Sequence, residues 1–82
     1  MIKVLFFAQI RELIGVDRIE YNEQTSITVN ELLAILGKKS DKWHLALQEN
    51  SVLCAVNQSL VESDYLIQAG DEVALFPPVT GG

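Results

Sequence analysis

Residues 27–37 read ITVNELLAILG, and they hold the start, the apolar stripe and the stop of one helix. Thr28 is a helix-capping residue, and Glu31 three positions on completes a capping box. In that motif the hydroxyl accepts from the Glu31 N–H while the carboxylate reaches back to the Thr28 N–H. Ile27 and Leu32 occupy the two positions of a hydrophobic staple around the cap. Val29, Leu32, Leu33 and Leu36 fall on one stripe at helical spacing, which directs that stripe into a core. Gly37 stands where a left-handed cap would end the helix.

Strand patterns flank this helix on both sides. Residues 2–7, IKVLFF, alternate, so Ile2, Val4 and Phe6 point one way and Lys3, Leu5 and Phe7 the other. Lys3 marks the second side as the wet one. AQIRELIG then reads as a short helical turn ended by Gly15, and DRIEYNE as a second strand paired with the first. After the capped helix, a shorter one follows Ser40 and runs to Glu49, with Trp43, Ala46 and Leu47 on a common face. VLCAVNQSLV gives two short β segments around an Asn57-Gln58 turn, ESDYLIQAGD reads as a loop, and EVALF closes the set as the last strand.

Strands, then helices, then strands fit an α+β sheet with its helices packed on one face. The smallest common architecture with this order is the β-grasp, in which the last strand lies parallel to the first in the middle of a mixed sheet. Residues 1–76 form that domain in this reading, and residues 77–82 a flexible extended tail ending in Gly-Gly. At 82 residues folding hides only about 60 to 65% of the surface of the unfolded chain, so the core is small.

Composition narrows the function classes. Six basic against eleven acidic residues give a net charge of -5, which opposes a phosphate backbone, so nucleic acid is not an expected partner. No apolar stretch approaches the roughly 20 residues that span a bilayer. Arg11 and Glu12 fall where a signal peptide would keep its cleavage region, so the expected address is the cytoplasm. The lone Cys54 and the lone His44 offer neither an internal disulfide nor a metal-ligand spacing.

Alternation in EVALF places Val73 and Leu75 toward the core and Ala74 and Phe76 outward, because Glu72 should be solvated. Phe76 then joins Phe7 on the outer face, with Leu5 and with Leu60 after the Asn57 turn. Each ring taken alone is more commonly core. Two rings brought outside by independent alternation favour a partner-binding surface. Past Phe76 the sequence is PPVTGG. Pro77 and Pro78 cannot donate to a ladder and hold the chain extended. Six such residues reach at most roughly 20 Å. Val79, Thr80, Gly81 and Gly82 complete a slim arm whose chemical asset is the Gly82 carboxylate, which adenylation by ATP would make electrophilic. The plainer alternative is a frayed terminus.

VLFFAQIRELIG, AVNQSLV and GDEVALFPPVTGG together resemble the family of small, sulfur-carrying subunits of molybdopterin synthase. The resemblance covers nearly the whole chain, is weakest over residues 22–45, and is most specific at PPVTGG. Leu75 departs from the family, which often has a second aromatic there. The resemblance implies a ubiquitin-like β-grasp carrier whose Gly82 is adenylated by an ATP-dependent activating enzyme and, with a sulfur donor protein, becomes a thiocarboxylate. It implies docking through Phe7, Leu60 and Phe76 on a large catalytic subunit in a heterotetramer, with Pro77, Pro78, Val79, Thr80 and Gly81 threaded into that subunit's site. There the sulfur would pass to a cyclic pyranopterin phosphate to build the dithiolene of molybdopterin. The catalytic side chains are expected on the large subunit, and no cofactor or metal on this chain. Related carriers of the thiamine and transfer-RNA sulfur pathways, and ubiquitin-like modifiers, share the Gly-Gly end and stand as the alternatives.

Overall fold

The computed structural model describes residues 1–22 and 26–78. Strand β1 (Ile2–Phe6) runs into helix α1 (Ala8–Ile14) and strand β2 (Arg18–Tyr21). A short strand β3 (Ile27–Thr28) leads into α2 (Val29–Leu36) and α3 (Asp41–Leu47). Strands β4 (Leu53–Val56), β5 (Ser59–Val61), β6 (Leu66–Ile67) and β7 (Glu72–Phe76) follow. The main sheet has the order β2-β1-β7-β4-β5, with β1 and β7 parallel at its centre and the other pairs antiparallel. This is the β-grasp arrangement expected from the sequence.

Alternation sets the two faces. Ile2, Val4 and Phe6 of β1, Val73 and Leu75 of β7, and Cys54 and Val56 of β4 are buried. They meet Val29, Leu32, Leu33 and Leu36 from α2, Ala46 and Leu47 from α3, and Ile10 from α1 in one core. Burying each large aliphatic side chain is worth roughly 1.5–3 kcal/mol, so this single cluster is the main source of stability. Trp43 is half-buried at its edge, with its ring perpendicular to Phe6 at 5.4 Å.

The capping box forms as its residues require. Glu31 N–H donates to Thr28 Oγ1 at 3.1 Å, and Thr28 N–H donates to Glu31 Oε1 at 2.8 Å. The loop after β5 takes the next two donors, Val29 N–H to the Tyr65 carbonyl and Asn30 N–H to that of Ser63. Every N–H from Thr28 to Glu31 therefore has an acceptor, where a helix start normally leaves orphans.

Two expectations are corrected. Gly37 does not adopt the left-handed cap: its φ is −64°, ordinary right-handed backbone. The chain instead tightens through Lys38 N–H to the Ile35 carbonyl and Lys39 N–H to that of Leu36. Glycine is required there for space, since a Cβ would lie 2.8 Å from Gln48 Cγ and 3.1 Å from the Leu33 oxygen. Residues 62–71 are also not all loop, because Leu66–Ile67 pair antiparallel with Ile27–Thr28 as a separate two-stranded ribbon. At Gly15 the left-handed cap is present, with φ of 91° and its N–H on the Arg11 carbonyl.

Candidate functional site: the open sheet face and the base of the tail

The helices cover one face of the sheet, and the pairing register defines what the other presents. Leu5 lies opposite Ala74, Ala74 opposite Ala55, and Ala55 opposite Leu60, a continuous apolar row from β1 to β5. One row further on, Phe76 is opposite Leu53. Phe7 continues β1 with extended backbone and donates its N–H to the Leu75 carbonyl, which sets its ring on the same face level with Phe76. Leu60 is 68% exposed and Phe7 44%, while Phe76, Leu53 and Leu5 are half-buried. Phe7, Leu60 and Phe76, singled out from sequence, are thus brought to one surface.

The next row toward the other end of the sheet is charged, with Lys3 between Glu20 and Glu72. An apolar centre beside a polar rim is the anatomy of a protein–protein contact surface. Leu53 and Ala55 belong to this surface although sequence reasoning did not select them. Their membership follows from β4 lying beside β7, a long-range choice with no local signal beyond the alternation of β4 itself.

The hairpin that carries Leu60 is held firmly. Asn57 and Gln58 have φ of 51° and 72°, the two positive values of a tight type I′ turn. Asn57 Nδ2 donates to Asp71 Oδ1 at 3.0 Å, and Asn57 Oδ1 accepts from Glu72 N–H at 3.0 Å. Asp71 also accepts the Gln68 N–H at 2.9 Å. These bonds tie the β4–β5 turn to the start of β7.

Strand β7 stops at Phe76, as two prolines without N–H donors demand. Pro77 is half-buried and Pro78 exposed, and both line a groove with Ala8, Ile10, Leu13 and Ala46 between α1 and α3. Val79, Thr80, Gly81 and Gly82 lie outside the described residues.

Other reactive side chains stand apart from this surface. Cys54 is buried, and burial pushes its thiol up to about 11, so it stays protonated near neutrality and is a poor nucleophile. His44 is exposed, with Nδ1 3.9 Å from Glu49 Oε2 on the helical side. Among the described residues no group of three or more His, Cys, Asp or Glu side chains could hold a metal ion. No helix among them is long and apolar enough to cross a membrane.

The sheet order, the helices on one face and the open apolar surface define a ubiquitin-like β-grasp protein. The chain belongs to the ThiS family, whose model matches residues 4–82. It is 54% identical over 82 residues to the molybdopterin synthase sulfur carrier subunit of Escherichia coli, covering 100% of both chains. Among solved structures it resembles the complex of subunits 1 and 2 of the molybdopterin-converting factor from Helicobacter pylori. There the TM-score is 0.65 at 28% identity, over 99% of this chain and 97% of that one. It also resembles small archaeal modifier protein 1 of Haloferax volcanii, with a TM-score of 0.75 and 25% identity, over 95% of this chain and 97% of that one.

Proposed function

We propose that this chain is the sulfur-carrier subunit of a molybdopterin synthase and works through the carboxylate of Gly82. The observation that carries this reading is the end-to-end 54% identity with the E. coli sulfur carrier subunit, which takes in the PPVTGG segment. An ATP-dependent activating enzyme adenylates the carboxylate: one carboxylate oxygen attacks the α-phosphorus of ATP and pyrophosphate leaves. Sulfide-level sulfur delivered by a donor protein then attacks the acyl carbon, the bond to the AMP oxygen breaks and AMP leaves, giving a thiocarboxylate. This sulfur passes to a cyclic pyranopterin phosphate in the large subunit's active site, and two such transfers build the dithiolene.

The chain's own contribution is placement. Phe7, Leu60 and Phe76 dock the domain, Pro77 and Pro78 stop β7, and Gly81 and Gly82 add no side-chain bulk in a narrow site. The complex of subunits 1 and 2 from H. pylori supports a large subunit as partner. Two copies of each subunit make the heterotetramer we propose, and the same sheet face serves the activating enzyme in turn. The cytoplasm is the proposed setting. No cofactor is assigned to this chain.

Intact-protein mass spectrometry after incubation with the activating enzyme, ATP and a sulfur source should show one oxygen-to-sulfur exchange. Carboxylate alone in every sample would defeat the reading. Deleting Gly82 should abolish sulfur transfer and leave thermal unfolding unchanged. The likeness to small archaeal modifier protein 1 supports a second reading, a modifier joined to lysines. Isopeptide-linked adducts bearing FPPVTGG without any thiocarboxylate would select it.

A further inference from the structure

Between the Phe7 ring and α1 the backbone takes a conformation that most residues resist. Ala8, the first residue of α1, has φ of 54°, in the left-handed region where an L side chain crowds the adjacent carbonyl. Elsewhere among the described residues positive φ falls on Gly15 and Gly70, both at 91°, and on Asn57 at 51° and Gln58 at 72° in the tight turn after β4, so Ala8 is the one such non-glycine residue outside a hairpin turn. Ala8 is exposed, so burial of its methyl does not account for the choice. Its surroundings fix it from both sides. The Phe7 N–H is held by the Leu75 carbonyl at 3.1 Å, and the Phe7 carbonyl accepts the Arg11 N–H at 3.4 Å. Ala8 therefore links a ring on the open face to the helix that lines the groove with Pro77 and Pro78. Backbone strain that surrounding structure over-determines gathers where a protein must present a fixed arrangement.

We propose that Ala8 is a positioning residue, a stiff left-handed link that fixes the Phe7 ring relative to the base of the tail in the arrangement the large subunit receives. The proposal rests on the docking reading given above. Glycine at this position would relieve the strain but widen the backbone angles open to the junction. The freedom so gained would have to be frozen again on docking, which weakens binding without weakening the fold.

The test is titration of the full chain into the large subunit by calorimetry, with thermal unfolding of each variant. Ala8→Gly should raise Kd about two- to fivefold, the scale of the backbone freedom released, with Tm unchanged or raised. Ala8→D-Ala, made by chemical ligation, prefers positive φ and should return Kd to that of the unchanged chain, because it restores stiffness while moving the methyl. Binding by Ala8→Gly as tight as the unchanged chain would overturn the proposal, as would Ala8→D-Ala binding no better than glycine. Phe76→Ala separates the two layers. If it binds normally, the docking reading itself fails; if it loses binding while Ala8→Gly does not, only the role of Ala8 falls.

Discussion

Leu60 and Leu75 are the same residue type on opposite faces of one sheet, and replacing each with alanine should separate docking from folding. Leu75 is 0% exposed and lies opposite Phe6 and Cys54, so Leu75→Ala leaves a cavity in the core and should cost about 2–5 kcal/mol of stability. Leu60 is 68% exposed. Full burial of a leucine side chain is worth roughly 1.5–3 kcal/mol, so only about 0.5–1 kcal/mol of that is realised on folding. The remaining two-thirds is available to a partner, about 1–2 kcal/mol, or about five- to thirtyfold in Kd. Urea denaturation gives the first quantity and calorimetric titration with the large subunit the second. Leu60→Ala should unfold close to the unchanged chain and bind about five- to thirtyfold more weakly. An unchanged Kd for Leu60→Ala, or a stability loss equal to that of Leu75→Ala, would refute the assignment of the two faces.

Four further outcomes can be checked by standard measurements. Thr28→Ala should lower unfolding free energy in urea by about 0.5–2 kcal/mol, since it orphans the Glu31 N–H. Gly37→Ala should destabilise by about 1–3 kcal/mol despite alanine's better helix propensity, because of the 2.8 Å approach to Gln48 Cγ. Adding Gln48→Ala should recover part of that loss, whereas a purely conformational role for Gly37 would leave it unrecovered. Gln58→Gly should stabilise by about 0.5–1 kcal/mol, measured in urea, because Gln58 holds φ of 72° in a turn position that favours glycine. The thiol of Cys54 is raised from 9.0 to about 11 by burial, so its stabilising contribution is complete below pH 9 and is lost as pH rises toward 11. Over that window the unfolded chain releases the proton that the folded chain keeps. Stability measured across it should fall more steeply for the unchanged chain than for Cys54→Ala.

What could be read from sequence was whatever a few neighbouring residues decide among themselves. The capping box needs only Thr28 and Glu31, and the two faces of β1 and β7 need only alternation, so Phe7 and Phe76 were found outside before any pairing was known. The Asn57-Gln58 turn was equally local. What escaped depends on distant partners. β3 and β6 are two residues each and exist because Ile27 meets Ile67 forty positions away; neither pair has a period to detect. Gly37 carried a sequence signal for a left-handed cap but has right-handed backbone, and the reason for glycine there is distant: Gln48, at the end of α3, occupies the space where a Cβ would lie. Leu53 and Ala55 joined the site only through the pairing of β4 with β7.

The placement of the tail on β7 has a mechanical consequence under the proposed function. β7 is the central strand of the five, hydrogen-bonded on both sides, to β1 and to β4, so it is not free to shift like an edge strand. Phe76 ends that strand and also belongs to the docking face, which leaves no hinge between the gripped surface and the first proline. A partner that holds Phe7, Leu60 and Phe76 therefore fixes the point from which six residues, spanning at most roughly 20 Å, extend toward its active site. An enzyme that activates the terminus and one that consumes its sulfur must each place their chemistry within that same reach of the same face. They cannot do so together, so the carrier must leave one before it serves the other, and a contact surface of modest size suits that exchange better than a permanent one.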